Sequence, residues 1–132
     1  MDHINRRRLL GWLGLGSAAA MGGARPAAAS PRRAPVRVLF TRVNGEAYYD
    51  AAQALPLLAM GETVLLRREP DNPYDRRAIE VFARGLKLGY VARIDNSAVA
   101  RMMDAGERFE ARIARLDRAT RDIRLEVDWL PA

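Results

Sequence analysis

From residue 36 onward, apolar and polar positions alternate in short runs with a period of two. The cleanest run comes last. Ile123, Leu125, Val127 and Trp129 alternate with Asp122, Arg124, Glu126 and Asp128, which predicts a half-buried antiparallel strand over residues 122–130. Residues 108–116 form its predecessor across a polar turn. Residues 36–43 predict a first strand with Val36, Val38 and Phe40 on one face, broken by Asn44-Gly45. Residues 63–66 read as a short, mostly apolar strand, and residues 78–83 as another with Ile79 and Val81 inward. Arg84-Gly85 turns the latter into its partner at residues 87–91.

Two stretches carry helical spacing instead. Residues 50–59 have a stripe of Ala51, Leu55 and Leu58, with Asp50 and Gln53 placed as in a capping box, Pro56 as an interruption and Gly61 as a stop. Residues 95–105 are the stronger helix. Asp95 stands at its cap, Ile94 and Val99 fit a hydrophobic staple, Val99, Met102 and Met103 share a face, and Gly106 sits where a left-handed cap belongs. Met60, Met102 and Met103 are expected to pack in the core. The fold class is therefore mainly β with two small helices. About six short strands in so small a domain fit a closed or nearly closed barrel, which hides sheet edges.

Composition narrows the chemistry. The chain has 132 residues and a net charge of +6. Beyond residue 29 it carries 18 Lys and Arg against 15 Asp and Glu, a mild excess that permits binding to phosphate backbones without demanding it. There is no cysteine, and the single histidine is His3. A domain without either lacks thiolate nucleophiles, the usual zinc ligands and the commonest general base. No cofactor or metal is expected. The residual catalytic reading is a pair of carboxylates, Asp71 and Asp75, around a divalent ion. Both lie in a tight loop where such oxygens serve the backbone, so a non-enzymatic role is expected.

The first 29 residues have a different character. Arg6-Arg7-Arg8 precedes an uncharged stretch over residues 9–24, then Arg25, Pro26 and Ala27-Ala28-Ala29. Basic head, short apolar middle and small-residue cleavage site match an export signal, and the middle is too short and rich in Gly and Ala to anchor stably. Asn5-Arg6-Arg7-Arg8-Leu9-Leu10 resembles a twin-arginine signal, although Gly11 and Trp12 stand where that pattern usually has a lysine nearby. A general secretory signal and a plain amphipathic tail are the competing readings. The expected organisation is a signal peptide at 1–29, a flexible lead-in at 30–35 and one domain at 36–131, delivered to the periplasm or beyond, with no stable membrane span after cleavage.

The most specific feature is an ordered set of short motifs. Glu69-Pro70-Asp71-Asn72-Pro73-Tyr74-Asp75 is followed by Ala78-Ile79-Glu80-Val81, then by Lys87-Leu88-Gly89-Tyr90-Val91 and Arg93. This set resembles the HIRAN domain, and the likeness covers most of residues 36–130. The resemblance implies an OB-like β-barrel and binding of nucleic acid, single-stranded DNA at its 3′ end in the members attached to DNA-remodelling helicases, with no catalytic step of its own. It also implies site residues: Tyr48 and Tyr49 near the first strand, Asn72, Tyr74 and Asp75 in the loop, then Tyr90 and Arg93. One position departs. Ala47, beside Glu46, stands where DNA-end-binding members carry an arginine.

The residue types suit that role in their own right. Tyr48, Tyr49, Tyr74 and Tyr90 are all the tyrosines of the chain. A tyrosine face stacks on a base, and Arg93, with Lys87 and Arg67 as additions, can neutralise phosphate. Asp75 suits a donor such as a terminal sugar hydroxyl. The blander alternatives are that Asn72 and Asp75 only hold a turn, that Tyr74 and Tyr90 are core residues, and that Arg93 is merely solvated. At the level of function the alternative is an exported protein-interaction module of the cell envelope that keeps the barrel but binds another ligand.

Overall fold

The computed structural model describes residues 32–132; the export segment expected at 1–29 and the first part of the lead-in lie outside the described residues. Six strands close into a barrel in the order β1-β4-β3-β2-β5-β6, every pairing antiparallel. They are β1 (Val36–Asn44), β2 (Thr63–Arg68), β3 (Ile79–Ala83), β4 (Leu86–Val91), β5 (Arg108–Asp117) and β6 (Asp122–Leu130). Two short helices, α1 (Ala51–Ala54) and α2 (Ser97–Asp104), interrupt the strand sequence.

The core is the barrel lumen. Ile79, Val81, Leu88, Ile113, Ile123, Leu125 and Val127 are essentially inaccessible, joined by Leu55 and Leu58 from the α1 region and by Val99 and Ala100 from α2. Each fully buried Val, Leu or Ile among them contributes about 1.5–3 kcal/mol by leaving water. The strict alternation expected for β6 is seen, with Ile123, Leu125 and Val127 inside. The expected stripe of Ala51, Leu55 and Leu58 is likewise buried, and Pro56 sits in a 3-10 turn, Leu55–Leu57, that carries the chain out of α1. At Arg84 and Gly85 both residues take positive φ, which makes the tight β3–β4 hairpin.

Several local expectations fail for identifiable reasons. Val36, Val38 and Phe40 face solvent, Phe40 at 56% exposure, and the inward residues of β1 are Thr41 and Val43 with Leu39 half-buried. A bulge between Arg37 and Leu39 shifts the pairing with β6, so alternation before and after it does not describe one face. Met60 is exposed at 63% and does not pack in the core, while Met103 packs against it. Asp50 makes no side-chain cap. Nor does Asp95 cap α2: its carboxylate accepts from the Thr41 hydroxyl of β1 at 2.9 Å. The residue preceding α2 is Asn96, which sends its amide elsewhere, and Ile94 is 91% exposed, so no staple forms. The C-terminal expectation holds: Gly106 has φ 88, and the amides of Gly106 and Glu107 return to Met103 and Met102.

Barrel closure rests on a narrow seam. β1 meets β4 through only two register pairs, Val43 with Val91 and Asn44 with Tyr90. The approach is close because Gly89, at φ 148, has no side chain: a Cβ there would lie 2.3 Å from the Asn44 carbonyl oxygen and 3.1 Å from Val43 Cγ1. The closer of the two is a backbone atom and cannot swing aside as a side chain could. Gly89→Ala is therefore expected to cost about 2–4 kcal/mol, read as a lower denaturation midpoint in urea; an unchanged midpoint would show that the seam is not tight.

Candidate nucleic-acid interface

One end of the closing seam opens into a cleft of about 270 Å³. All seven residues expected at the site line it: Tyr48, Tyr49, Asn72, Tyr74, Asp75, Tyr90 and Arg93. Four segments supply them. Tyr48 ends the 3-10 turn Glu46–Tyr48 that succeeds β1, its amide bonded to the Gly45 carbonyl, and Tyr49 follows it. Asn72, Tyr74 and Asp75 come from the β2–β3 loop, Tyr90 from β4, and Arg93 from the turn leading to α2. Tyr48 and Tyr74 are exposed at 86% and 85%, Tyr49 is partly exposed and Tyr90 half-buried. Tyr74 is thus not a core tyrosine.

The loop is built by Asn72. Its Oδ1 accepts the Tyr74 and Asp75 amides at 2.9 and 3.0 Å, and its Nδ2 donates to Glu69 and, at 3.3 Å, to the Tyr90 hydroxyl. An amide side chain has two donors and two lone pairs, so Asn72 is saturated. Asp75 accepts the Arg77 amide on one oxygen and the buried Asn96 amide group on the other, at 2.9 and 2.8 Å. Each oxygen keeps one lone pair, enough to accept from a hydroxyl. Arg68 fixes the base of the loop by donating to the carbonyls of Ala78 and Arg76 while pairing with Asp104 of α2.

Behind the rings lies an ionic cluster that the motif alone did not assign. Lys87 Nζ stands 4.2 Å from the Tyr49 ring centroid and 4.3 Å from that of Tyr90, and donates to Glu80 and to the Tyr90 hydroxyl at 3.2 and 2.8 Å. A cation between two ring faces is worth about 0.5–2 kcal/mol per face. The rings meet edge to face at 5.6 Å and 69°. Arg67, with its guanidinium over the Phe82 ring, pairs with the same Glu80. Lys87 and Arg67 are therefore committed to the protein's own carboxylate and rings, and of the three cations expected to meet phosphate only Arg93 lines the cleft. Burial pushes the Glu80 carboxyl up, but the hydrogen bonds and charges of Arg67 and Lys87 prevail and hold it below its ordinary value. Burial pulls the Lys87 ammonium down, yet its bonds to Tyr90 and Glu80 hold it above.

The Tyr90 hydroxyl donates to Glu69 and accepts from Lys87 and Asn72, which exhausts it. Only its ring remains for a ligand. The cleft so presents aromatic surface from four tyrosines, one guanidinium and the spare lone pairs of Asp75. Asn44 and Gly45 also line it, a role invisible when they are read only as the break after a strand. Asn96 was hidden too, because its contribution depends on a contact 21 positions away in sequence. Among the described residues no group of three or more His, Asp or Glu is placed to hold a metal ion, and no helix is long and apolar enough to cross a membrane.

A closed six-stranded barrel with an aromatic and cationic cleft at its loops is an OB-like binding module. The sequence profile of the HIRAN domain matches residues 36–129, and the chain belongs to that family. It is similar to a protein from Lactobacillus plantarum of known crystal structure, at 37% identity and a TM-score of 0.70, over 75% of this chain and 98% of that one. It is also similar to the HIRAN domain of human HLTF, at 26% identity and a TM-score of 0.59, over 69% of this chain and 73% of that one. No curated protein matches the chain. HIRAN domains generally bind nucleic acid and are generally non-catalytic on their own.

Burial and the bond to Glu69 raise the Tyr90 phenol from 10.0 to about 12, against the opposing pull of Lys87. A raised folded value means that stability from this group is fully present below the unfolded value of about 10 and is lost as pH climbs from there towards the folded value. The phenolate absorbance that disappears in Tyr90→Phe should titrate near 12. A component titrating at the ordinary value would show the hydroxyl to be free.

Proposed function

We propose that residues 36–131 act as a non-catalytic module that binds single-stranded nucleic acid, DNA or its 3′ end, in the tyrosine cleft. One observation carries this reading: Asn72 and the Tyr90 hydroxyl are spent inside the protein, while the exposed rings of Tyr48 and Tyr74 and the Arg93 guanidinium remain open to a ligand. Flat faces beside a cation suit bases of any identity flanked by phosphate. Asp75, with its remaining lone pairs, suits a terminal sugar hydroxyl and so favours a strand end. Ala47, exposed and uncharged, supplies no phosphate contact, and Glu46 lies 3.7 Å from Arg42, which offsets its charge. Binding is accordingly modest and rests on stacking and Arg93.

The arginine-headed segment at 1–29 supports export of this module to the periplasm or the exterior. A second reading, an envelope protein-interaction module, is favoured by Phe40, a large apolar side chain exposed on the outer wall of the barrel. Recovery of a partner that survives nuclease treatment and is lost on Phe40→Ser would select it.

A labelled oligonucleotide titrated at two salt concentrations tests the first reading. Tyr74→Ala should cost about 1–3 kcal/mol, or about 5- to 150-fold in affinity. Arg93→Gln should weaken binding and flatten the dependence on log salt by about 0.7, the value for one phosphate contact on a single strand. Wild-type protein that binds no strand at low salt rules the reading out.

A further inference from the structure

Beside the tyrosine cleft lies a second and larger one, of about 410 Å³. The two share Tyr74, Asp75 and Arg93, so a ligand can pass from one to the other over the Tyr74–Asp75 bend. The second cleft differs in kind. Its walls include Arg76 and Arg77 together with Arg93, and Asp75 is the sole carboxylate among them.

Among the described residues none of these three guanidinium groups forms an ion pair or a side-chain hydrogen bond, whereas Arg67 and Arg68 nearby are both engaged with carboxylates. The backbone of Arg76 and Arg77 is nevertheless fixed. The Arg76 carbonyl accepts from Arg68 at 2.9 Å, the Arg77 amide donates to Asp75, and the Ala78 amide donates to the Asp75 carbonyl at 3.1 Å. Two unpaired cations on a pinned loop, joined by Arg93 from the turn before α2, concentrate positive charge around this cleft. The single acid there already accepts from the Arg77 amide and from Asn96.

We propose that this second cleft is a phosphate subsite, built by Arg76 and Arg77 and continuous through Arg93 with the tyrosine cleft, which takes the next phosphodiester of a bound strand. This rests on the reading of the tyrosine cleft as a base-binding site. The ligand is then an oligonucleotide chain running over the Tyr74–Asp75 bend and not a mononucleotide: the tyrosine cleft holds the terminal base, the other the backbone on its 5′ side. The guanidinium fork binds phosphate oxygens in pairs, so the subsite contributes charge and position but no base preference.

The test compares a thymidine dinucleotide with an oligothymidine of about ten nucleotides, a length within the span of one OB-type barrel. Wild-type protein should bind the longer strand more tightly and with the steeper salt dependence. In the double variant Arg76→Gln/Arg77→Gln, affinity for the longer strand should fall about three- to tenfold and its dependence on log salt should flatten by about 0.7, the value for the one phosphodiester the subsite takes. Dinucleotide binding should be unchanged, and Arg76→Lys/Arg77→Lys should restore the salt dependence. An unaltered slope and affinity in the glutamine variant would overturn the subsite while leaving the tyrosine cleft standing. Tripolyphosphate, which has charge but no ring, separates the remaining cases. If wild-type protein binds it but no oligonucleotide, and the glutamine variant does not, the anion subsite stands and the base-binding reading falls. If wild-type protein binds neither, both fall.

Discussion

The contact on which the site depends is the bare approach of Gly89 to the Asn44 carbonyl. β1 and β4 join over two residue pairs only, and that junction turns an open sheet into a barrel. The ends of the same two strands line the tyrosine cleft, Asn44 with the adjoining Gly45 from one side and Tyr90 and Val91 from the other. Closure and site assembly are therefore a single event. A side chain at position 89 would push apart the two strands whose proximity makes the cleft, which explains why the narrowest part of the barrel wall carries a residue with no side chain at all.

Hydrogen bonding then decides what the cleft can recognise. The loop between β2 and β3 is polar in composition, yet most of its polar atoms are directed inward to itself, to the Tyr90 hydroxyl or to α2. The Lys87–Glu80–Arg67 cluster similarly uses two cations to satisfy one buried carboxylate and to hold two rings at a fixed angle. What survives these internal commitments is ring surface and unpaired guanidinium. A satisfied polar network gives rigidity, and the rings and guanidinium it leaves over are the groups on which the proposed binding rests.

Much of this was legible in the sequence wherever one local rule governed the outcome. β6 alternates strictly because one face meets the lumen along most of its length, and the hairpin at Arg84-Gly85 follows from turn chemistry. The motif residues around Tyr74 and Tyr90 converge as their order suggested. Reading failed where distant partners competed with local ones. Asp95 was available as a helix cap but Thr41 of β1 claimed its carboxylate, and the bulge in β1 uncoupled Val36 and Phe40 from a common face. Lys87 looked like a phosphate contact because its pairing with Glu80 depends on β3 and β4 lying side by side across a bulge, which no spacing along the chain reveals.

The bond between Asn96 and Asp75 bears on how such a site can be moved or inherited. The Pro-Asp-Asn-Pro-Tyr-Asp stretch looks self-contained, a cassette that could be grafted onto any barrel with a hairpin of suitable length. Its last carboxylate, however, is held from outside by an amide at the foot of α2, and its base by Arg68, which is itself tied to the far end of that helix through Asp104. The helix works as an external splint for the loop. Transplanting the loop without its splint would carry over the letters of the motif and lose its shape.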